Sequence, residues 1–520
     1  MLSQIHSATL QGLEAIPVRV EVDAYKSGMQ PRFTIVGLPD NAVKESQERM
    51  FASVRLNGLS LNNCSIVINL APADLKKEGS ALDLPMIVGV LQACGATNFD
   101  RQLVADSMFI GELGLDGSIL PVKGALPVSI LARKMGIKNL FVPTDNAREA
   151  AVVDKLTVYG VNNLRDVVCF LQGTSTLEPT VVNTREEFFS RQAIHDGDFE
   201  DVKGQENVKR AFEIAAAGGH NIILIGSPGC GKSMMAKRLP SILPPLSLRE
   251  SLETTQIHSI AGKLHKDVSL ISQRPFRAPH HTISDVGLVG GGNTFMPGEI
   301  SLAHNGVLFM DELPEFSRTV LETLRQPLED RIISVSRARY SYTLPCSFML
   351  VASMNPCPCG YHGDATHKCV CTPGQIQRYM NKISGPLLDR IDIQVECSAL
   401  SYDDLSKAPT GEPSSVIRER VLKARQIQER RFQGQKGIHC NAQMTERMIH
   451  QYAEPDESSL ALLRMAMERL KLSARAYNRI LKVARTIANL EGSEKVQSQH
   501  IAEAVGYRNL DRGDWAERGI

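Results

Sequence analysis

The segment NIILIGSPGCGKSMMAKRL, residues 221–239, limits the fold of this chain more than any other stretch. An apolar strand pattern leads into G-x-x-x-x-G-K-S and a helical pattern follows, which is the arrangement of a phosphate-binding loop. The glycines let backbone N–H groups converge on phosphate oxygens at the start of the helix. The residues predicted to bind nucleotide phosphates are Gly226, Ser227, Pro228, Gly229, Cys230, Gly231, Lys232 and Ser233.

A second motif supplies the acidic groups that a nucleotide site needs. NGVLFMDELPEF, residues 305–316, is an apolar strand pattern that ends in Asp311 and Glu312. Lys232 would pair with the β- and γ-phosphates, and Ser233 and Asp311 would hold Mg²⁺. Glu312 would polarise the attacking water. Two surface acids that cap a helix would not explain the apolar residues before them, so we expect ATP hydrolysis with ATP and Mg²⁺ as cofactors.

Composition favours a soluble globular protein and disfavours a secreted or membrane-spanning one. The chain has 520 residues, of which 43% are hydrophobic and 22% charged, as in soluble globular proteins of two to four domains. Its 58 basic and 57 acidic residues give a net charge of +1, so nucleic-acid binding would need a local basic patch. The start shows no signal-peptide pattern, and no apolar run is long enough to span a membrane. Eleven cysteines, four of them clustered, favour a reducing compartment, so we expect a cytoplasmic location.

Strand and helix patterns alternate through most of the chain and predict an α/β fold. In the amino-terminal part, strand patterns occur at 65–71, 107–114 and 139–143, and a helical pattern occurs at 125–136. The carboxyl-terminal part has helical periodicity throughout. The predicted units are an α/β domain at 1–172, a polar linker at 173–197, an α/β core at 198–398 and a helical domain at 399–520.

Three further segments, with the Asp-Glu pair, resemble the magnesium-chelatase-like branch of the AAA+ superfamily: FMLVASMNP (348–356), GPLLDRIDI (385–393) and LSARAYNRILKVARTIANL (472–490). The resemblance implies that Asn355 is the sensor-1 residue, Arg390 the arginine finger of a neighbouring subunit, and Arg475 the sensor-2 arginine. Charge developing on a transferred phosphoryl group needs such donors. An ordinary surface pair is the alternative for Arg390. A finger supplied by a neighbour implies a ring-shaped homo-oligomer, most simply a hexamer.

An insertion before sensor 1, DRIISVSRARYSYTLPCSFML (330–350), alternates in the manner of strands. It predicts a hairpin whose tip carries Arg337 and Arg339. Repeated round a ring, these arginines would line a pore for single-stranded or branched DNA. A solvated hairpin without a ligand is the alternative. Tyr340 and Tyr342 could stack on bases, although strand tyrosines more often pack across strands.

Two other segments bear on DNA binding. Residues 274–304 resemble the family's helix-2 insert, which faces the pore. The helical pattern near residue 420 has a basic face, which gives only secondary support because such faces are usually solvated. Its basic residues are Arg418, Arg420, Lys423, Arg425, Arg430 and Arg431.

The amino-terminal segments 68–91 and 110–143 resemble the protease domain of Lon, which uses a Ser–Lys dyad. The nucleophile position falls near Ser80 without the usual flanking glycines, and the dyad lysine falls near Leu126, where no lysine stands. A shifted pair of Ser80 and Lys123 is the alternative. We expect an inactive domain with the Lon-like, ribosomal S5 domain 2-like fold, used for assembly or binding.

CPCGYHGDATHKCVC, residues 357–371, follows sensor 1 directly. Four cysteines are enough for a closed, tetrahedral Zn²⁺ site, which would fold the loop and not catalyse. The C-x-C spacing is tighter than the usual C-x₂-C, so His362 or His367 could replace one sulfur. Unligated thiols are the other alternative. The predicted ligands are Cys357, Cys359, Cys369 and Cys371.

The order of these domains, with FTIVGLPDNAVKESQERM (33–50), resembles the ComM/YifB family over nearly the whole chain. The resemblance implies a ring helicase that promotes branch migration of incoming DNA during natural transformation. A remodelling ATPase of the magnesium-chelatase type, acting on a protein partner, is the main alternative. An ATP-dependent protease is a third reading, which the missing dyad disfavours.

Overall fold

The computed structural model describes residues 2–26, 32–61, 64–192, 197–292, 295–337, 340–364, 367–398, 411–435, 437–470, 472–508 and 510. The chain forms two compact units. The first comprises Met1–Gln192, Ser247–Ser272 and Gly292–Pro297, and the second comprises Ala193–Leu246, Gln273–Gly291 and Gly298–Ile520. Residues 247–272, which follow the phosphate-binding loop in sequence, therefore pack within the first unit.

The first unit is built on a seven-stranded mixed sheet. Antiparallel pairing joins the two longest strands, which are amino-terminal, and parallel pairing joins the three strands at one end of the sheet. The alternating burial along most of these strands matches the alternation of apolar residues. In order across the sheet the strands are Arg32–Val36, Cys64–Ala71, Glu14–Lys26, Leu2–Gln11, Ser107–Phe109, Asn139–Pro143 and Thr157–Val161.

Helices cover this sheet. Asp83–Ala93 is buried along almost its whole length and packs on the two long strands. Leu248–Ile260 begins at a capping box between Ser247 and Glu250 and packs on the helix Ala125–Lys134. The helices are Asn41–Leu56, Asp83–Ala93, Arg101–Ala105, Ala125–Lys134, Thr144–Ala150, Leu164–Leu171, Thr184–Arg191 and Leu248–Ile260.

The second unit is built on a parallel five-stranded sheet. Ile225 lies opposite Met354, and Gly226 lies opposite Cys397, so the carboxyl ends of these strands meet at one edge. The central strands are buried at every residue, as expected for a parallel sheet covered on both faces. In order the strands are Phe276–Arg277, Val307–Met310, Met349–Met354, Ile222–Gly226 and Ile393–Cys397.

Helices of the carboxyl-terminal part share one apolar core with this sheet, including Ile222, Ile480 and Ile501. A separate hairpin pairs the strands Ile332–Arg337 and Tyr340–Pro345. The helices of the second unit are Glu206–Gly218, Lys232–Arg238, Asp285–Val289, Glu299–Leu302, Arg318–Thr323, Arg325–Asp330, Pro373–Met380, Gly385–Leu388, Ser414–Arg431, Glu446–Tyr452, Glu457–Leu470, Ala474–Leu490 and Ser498–Gly506.

The α/β fold class predicted from the sequence is confirmed, as is the hairpin before sensor 1. The segment 173–197 was expected to be irregular, and here the structure differs, because it contains the helix Thr184–Arg191. Asn183 caps that helix, and Phe188 is buried. Within the described residues, every helix is too short or too polar to cross a membrane.

Candidate nucleotide site

The phosphate-binding loop connects the strand Ile222–Gly226 to the helix Lys232–Arg238. Gly229 and Gly231 have φ values of +82° and +87°, which a residue with a side chain adopts only with strain. The loop can therefore turn tightly and direct its backbone N–H groups towards one point, which is what binding of phosphate oxygens requires.

Lys232 lies inside this loop, with its ammonium group surrounded by oxygen atoms. Nζ donates hydrogen bonds to the carbonyl oxygens of Gly226, at 2.6 Å, and Ser227, at 3.0 Å. Nζ also lies 3.3 Å from Oδ1 of Asn355, at the end of the neighbouring strand. The predicted loop lysine and the predicted sensor-1 residue are thus brought together, and the charge of Lys232 is placed to pair with phosphates.

Asp311 follows the strand Val307–Met310 and lies beside the loop. Ser233 Oγ donates a 2.7 Å hydrogen bond to Asp311 Oδ2, and Ser353 donates to Asp311 Oδ1. Mg²⁺ prefers hard oxygen ligands such as these, together with phosphates and water. The hydroxyl of Ser233 and the carboxylate of Asp311 therefore fit a magnesium ion, which would neutralise charge on bound phosphates.

Glu312 has a left-handed backbone conformation, with φ of +53°. Non-glycine residues in this region are uncommon and cluster at functional sites. Its N–H donates a 3.2 Å hydrogen bond to Ser353 Oγ, and its half-exposed carboxylate lies 3.9 Å from Nδ1 of His281. The half-exposed carboxylate of Glu312 is therefore accessible to a water molecule.

Cys230 is a nearly buried thiol of the phosphate-binding loop. A hydrogen bond from Cys397 and the charge of Lys232, whose Nζ lies 3.7 Å from the sulfur, lower the pKa of Cys230 to about 6. The same hydrogen bond raises the pKa of Cys397, which keeps its proton. The pKa of the Cys230 thiol is therefore lowered next to the lysine that would bind phosphate.

Arg390 and Arg475 lie at the other edge of the same sheet. Arg390 precedes the strand Ile393–Cys397, whose first residue pairs with Ile222 at the amino end of its strand. The five residues from Ile222 to Gly226 separate the two edges by about 13 Å at the usual rise of a strand. Neither arginine is therefore brought to the phosphate-binding loop of its own chain.

These two arginines have acidic neighbours. Arg390 pairs with Glu329 and donates a 2.7 Å hydrogen bond to the carbonyl oxygen of Pro386. Its Nε is buried and has no hydrogen-bond partner among the residues that the structure describes. Arg475 is exposed and lies 3.6 Å from Asp389, the residue before Arg390. One edge of the unit thus presents two arginines within a short distance of each other.

A buried charge network supports this edge. Asp392 is fully buried and lies 2.8 Å from Arg479 and 3.1 Å from His220. Burial alone would raise the pKa of Asp392, but Arg479 and His220 outweigh that effect and lower it strongly. Burial and the charge of Arg479 lower the pKa of nearby Lys482 to about 8. The network ties the helix Ala474–Leu490 to the central sheet.

The four cysteines after sensor 1 form one compact cluster. The sulfur of Cys357 lies 3.3 Å from that of Cys359 and 3.7 Å from that of Cys369, and the last two are 3.6 Å apart. All four sulfurs, including Cys371, lie within 4.8 Å of one another. Tetrahedral Zn–S bonds of about 2.3 Å place sulfurs about 3.8 Å apart, so the cluster has the dimensions of a metal site. His367, predicted from the sequence as an alternative ligand, lies beside Asp364 and Tyr361.

The loop that carries these cysteines packs on the phosphate-binding loop. Ser227 Oγ donates a 2.5 Å hydrogen bond to Asp364 Oδ2. Gly360 is so close to Pro228 that an added Cβ would lie 2.7 Å from the proline Cδ. The cysteine loop, residues 357–371, is thus a direct neighbour of the nucleotide site.

Of the two predicted DNA-binding arginines, the structure describes only the backbone of Arg337. The backbone of Arg337 ends the first strand and pairs with Tyr340, and Arg339 lies outside the described residues. Tyr340 and Tyr342 lie on one strand with ring centroids 5.3 Å apart, stacked on each other.

Part of the basic face of the helix Ser414–Arg431 makes contacts within the second unit. Arg420 pairs with Glu213 and Glu412, and Arg425 donates to the carbonyl oxygen of Ala216 at 3.0 Å. The secondary support that this face gave to DNA binding is therefore weakened.

In the first unit, Ser80 and Lys123 have different partners. Ser80 donates to Glu112, and Lys123 lies 3.6 Å from the sulfur of Met296. Within the described residues these two side chains form no Ser–Lys dyad with each other. Leu126, at the position of the dyad lysine, is fully buried.

Sequence reasoning missed several residues of the site. Ser353, which bonds to Asp311, stands out only as a hydroxyl in a strand that is otherwise apolar. Asp364 and Cys397 reach the phosphate-binding loop from segments far along the chain, and local patterns gave no signal for either.

Family models match most of the chain. "Magnesium chelatase, subunit ChlI" matches residues 198–405, "Subunit ChlI of Mg-chelatase" residues 20–146, and "Magnesium chelatase, subunit ChlI C-terminal" residues 411–508. These matches cover both units, including the nucleotide site.

Individual relatives extend this result. Competence protein ComM of Haemophilus influenzae is 41% identical over 98% of both chains, and YifB of Escherichia coli is 42% identical over 98% of both. A Lon protease of Metamycoplasma arthritidis is 24% identical over 25% of this chain and 16% of its own. The chain therefore belongs to the ComM/YifB family of magnesium-chelatase-like AAA+ ATPases, with partial similarity to Lon protease.

Proposed function

We propose that this protein is an ATP-driven, ring-forming DNA motor, a branch-migration helicase that acts on incoming DNA during natural transformation. The observation that carries the proposal is the separation of Lys232 from Arg390 and Arg475 on opposite edges of one sheet. An ATPase whose arginines face away from its own nucleotide needs a second copy to complete its site. The similarity to Competence protein ComM supports the assignment to natural transformation.

The positions of the side chains support the roles that we propose for them at the nucleotide. Lys232 pairs with the β- and γ-phosphates, and Ser233 and Asp311 hold Mg²⁺. Glu312 accepts the proton of the attacking water, and Asn355 orients that water. Mg²⁺ held by Ser233 and Asp311 would offset the charge that develops on the phosphoryl group.

Arg390 acts as the arginine finger of the next subunit, and Arg475 acts beside it. To act in this way, the guanidinium of Arg390 would exchange its pairing with Glu329 for a pairing with the neighbour's phosphate. Repetition of this contact closes a ring, for which six subunits is our expectation. Glu329 holds Arg390 until the neighbour binds.

DNA is the proposed substrate of the motor. The net charge of +1 means that DNA must meet a local basic patch, and the hairpin tip with Arg337 and Arg339 is the best candidate. In a ring, the stacked pair Tyr340 and Tyr342 would lie close to these arginines, where aromatic rings can stack on bases.

DNA-stimulated ATPase activity tests the motor. We expect turnover to rise with single-stranded or branched DNA, and the Arg337→Ala/Arg339→Ala double variant to lose that stimulation and the affinity for DNA. Arg249→Ala, which removes an exposed arginine of the first unit, is the matched control and should behave as the wild type. The proposal would be wrong if DNA does not change the ATPase rate and the double variant binds DNA as tightly as the wild type.

A remodelling ATPase that acts on a protein partner is the second candidate, because the family models are all described by a magnesium chelatase subunit. It would show ATPase activity that responds to protein and not to DNA. Proteolysis is disfavoured by the partners of Ser80 and Lys123.

The four-cysteine cluster is proposed to hold a structural Zn²⁺ ion. Four sulfurs leave no open position for substrate or water, so the ion would fold the cysteine loop and take no part in hydrolysis. A cytoplasmic location stays a prediction from the sequence.

A further inference from the structure

We infer that Asp364 is a positioning residue that couples metal binding by the cysteine loop to nucleotide binding by the phosphate-binding loop. The inference rests on the proposed function, since it needs a nucleotide at Lys232 and a metal at the four cysteines. It adds a role for a residue that touches neither ligand.

The carboxylate of Asp364 joins the two loops. Its side chain is only 5% exposed. Oδ2 accepts the 2.5 Å hydrogen bond from Ser227 Oγ, and Oδ1 accepts a 3.0 Å hydrogen bond from the backbone N–H of His367. One oxygen thus binds the phosphate-binding loop, and the other binds the cysteine loop itself.

Two further contacts make this junction continuous. Gly360, with φ of +87°, lies against the ring of Pro228, and a side chain at Gly360 would collide with that ring. Asn355, two residues before the first cysteine of the cluster, accepts the hydrogen bond from Lys232. The cysteine loop therefore contacts the phosphate-binding loop at Ser227 and Pro228, and Asn355, just before the cysteine loop, contacts Lys232.

Metal binding controls where Asp364 lies. Asp364 stands between Cys359 and Cys369 in the sequence, so closure of the cluster fixes both ends of the segment that carries it. Without a metal ion, only weak S–H···S and N–H···S contacts hold the cysteines together, and Asp364 gains conformational freedom. Ser227 then loses the charged acceptor that holds its loop in the shape needed for phosphate.

The first test compares zinc content with nucleotide affinity. We expect about one zinc per chain in the wild type. Asp364→Ala should retain that zinc yet bind a fluorescent ATP analogue about tenfold more weakly, the scale of one charge-assisted hydrogen bond. Its KM for ATP should rise by the same factor with kcat within about twofold, because Asp311 and Glu312 are untouched. Asp364→Asn should restore the affinity, because an amide oxygen can still accept from Ser227.

Cysteine variants test whether loss of the metal ion weakens nucleotide binding. Cys369→Ser should lose zinc and show the same weakened affinity as Asp364→Ala. Cys94→Ser removes a partly buried thiol of the first unit, outside the cluster, and should retain both zinc and affinity.

A double variant tests whether the two side chains act through each other. Ser227→Ala and Asp364→Ala should each weaken binding, and together they should weaken it no further than either alone. Additive losses, or wild-type affinity in zinc-loaded Asp364→Ala, would overturn the inference. A wild-type protein that binds no ATP at all would instead overturn the proposed function, so the two failures differ.

Discussion

Ser233 donates its hydroxyl hydrogen to Asp311 across 2.7 Å, which links the helix after the phosphate-binding loop to the end of a second strand. Both side chains offer oxygen ligands of the kind that Mg²⁺ prefers, and they come from motifs 78 residues apart in sequence. The parallel register of the sheet produces this meeting, because both strands end at the same edge. The next residue, Glu312, is the group that we propose to activate the attacking water.

Glu312→Gln should retain ATP binding and lose turnover. The amide keeps the size and the backbone turn of the residue but cannot accept a proton from water. A positioned general base contributes about 10²- to 10⁴-fold, so kcat should fall by at least about a hundredfold. Phosphate release and equilibrium binding of a fluorescent ATP analogue measure the two effects separately.

Glu315→Gln is the matched control for this variant. Glu315 lies three residues further along and pairs with Lys382 at the surface. Its loss should change kcat by less than about twofold, since exposed ion pairs contribute little. Normal turnover in Glu312→Gln would contradict the assignment of the catalytic base.

Mixed subunits should reveal where Arg390 acts. Lys232→Ala and Arg390→Ala should each be inactive alone, because one cannot bind phosphate and the other cannot stabilise its neighbour's transition state. Arginine fingers contribute about 10³- to 10⁵-fold to kcat. When the two variants are mixed, some interfaces combine an intact loop with an intact finger, so ATPase activity should reappear.

Lys232→Ala mixed with a Lys232→Ala/Arg390→Ala double variant is the control, since no interface then contains an intact loop. Activity that never returns when the two single variants are mixed would show that Arg390 does not work between subunits. An exposed charge such as Arg249, with its side chain 89% exposed, should be dispensable in the same assay.

How far the sequence predicts this site depends on distance along the chain. The loop from Gly226 to Ser233 and the pair Asp311 and Glu312 carry local patterns, since each follows an apolar strand. The position of Arg390 depends on how the strand Ile393–Cys397 aligns with Ile222–Gly226, which no local pattern specifies. The same holds for the packing of residues 247–272 within the first unit.

Cys230 should be the reactive thiol of the nucleotide site. A hydrogen bond from Cys397 and the charge of Lys232 lower its pKa to about 6, so iodoacetamide should modify it with a rate that rises with pH around that value. Bound ATP should protect Cys230, since phosphates would occupy the loop. Mass spectrometry of the labelled peptides measures the rate at each cysteine.

Cys346 provides the contrast, because burial raises its pKa to about 12 and it should stay unlabelled at neutral pH. Cys397→Ala should move the midpoint of Cys230 labelling to higher pH, since it removes the hydrogen bond to the thiolate. A midpoint that is unchanged in this variant would show that Cys397 does not set the pKa of Cys230.

Arg479→Ala should destabilise the second unit by about 3–5 kcal/mol at pH 7, because it leaves the buried charge of Asp392 without its main partner. Asp392 has a folded-state pKa below the unfolded value of about 3.9. The wild type therefore gains stability from this group above that value and loses it as the pH falls. In Arg479→Ala the folded-state pKa of Asp392 rises, so the variant loses less stability than the wild type as the pH falls. The difference in free energy of unfolding between the two proteins should therefore narrow towards pH 3.

Urea unfolding followed by circular dichroism at pH 7 and at pH 3 measures this difference. Arg249→Ala is the control and should change stability by less than about 1 kcal/mol. A difference that stays constant between pH 7 and pH 3 would mean that Arg479 does not stabilise the ionised form of Asp392.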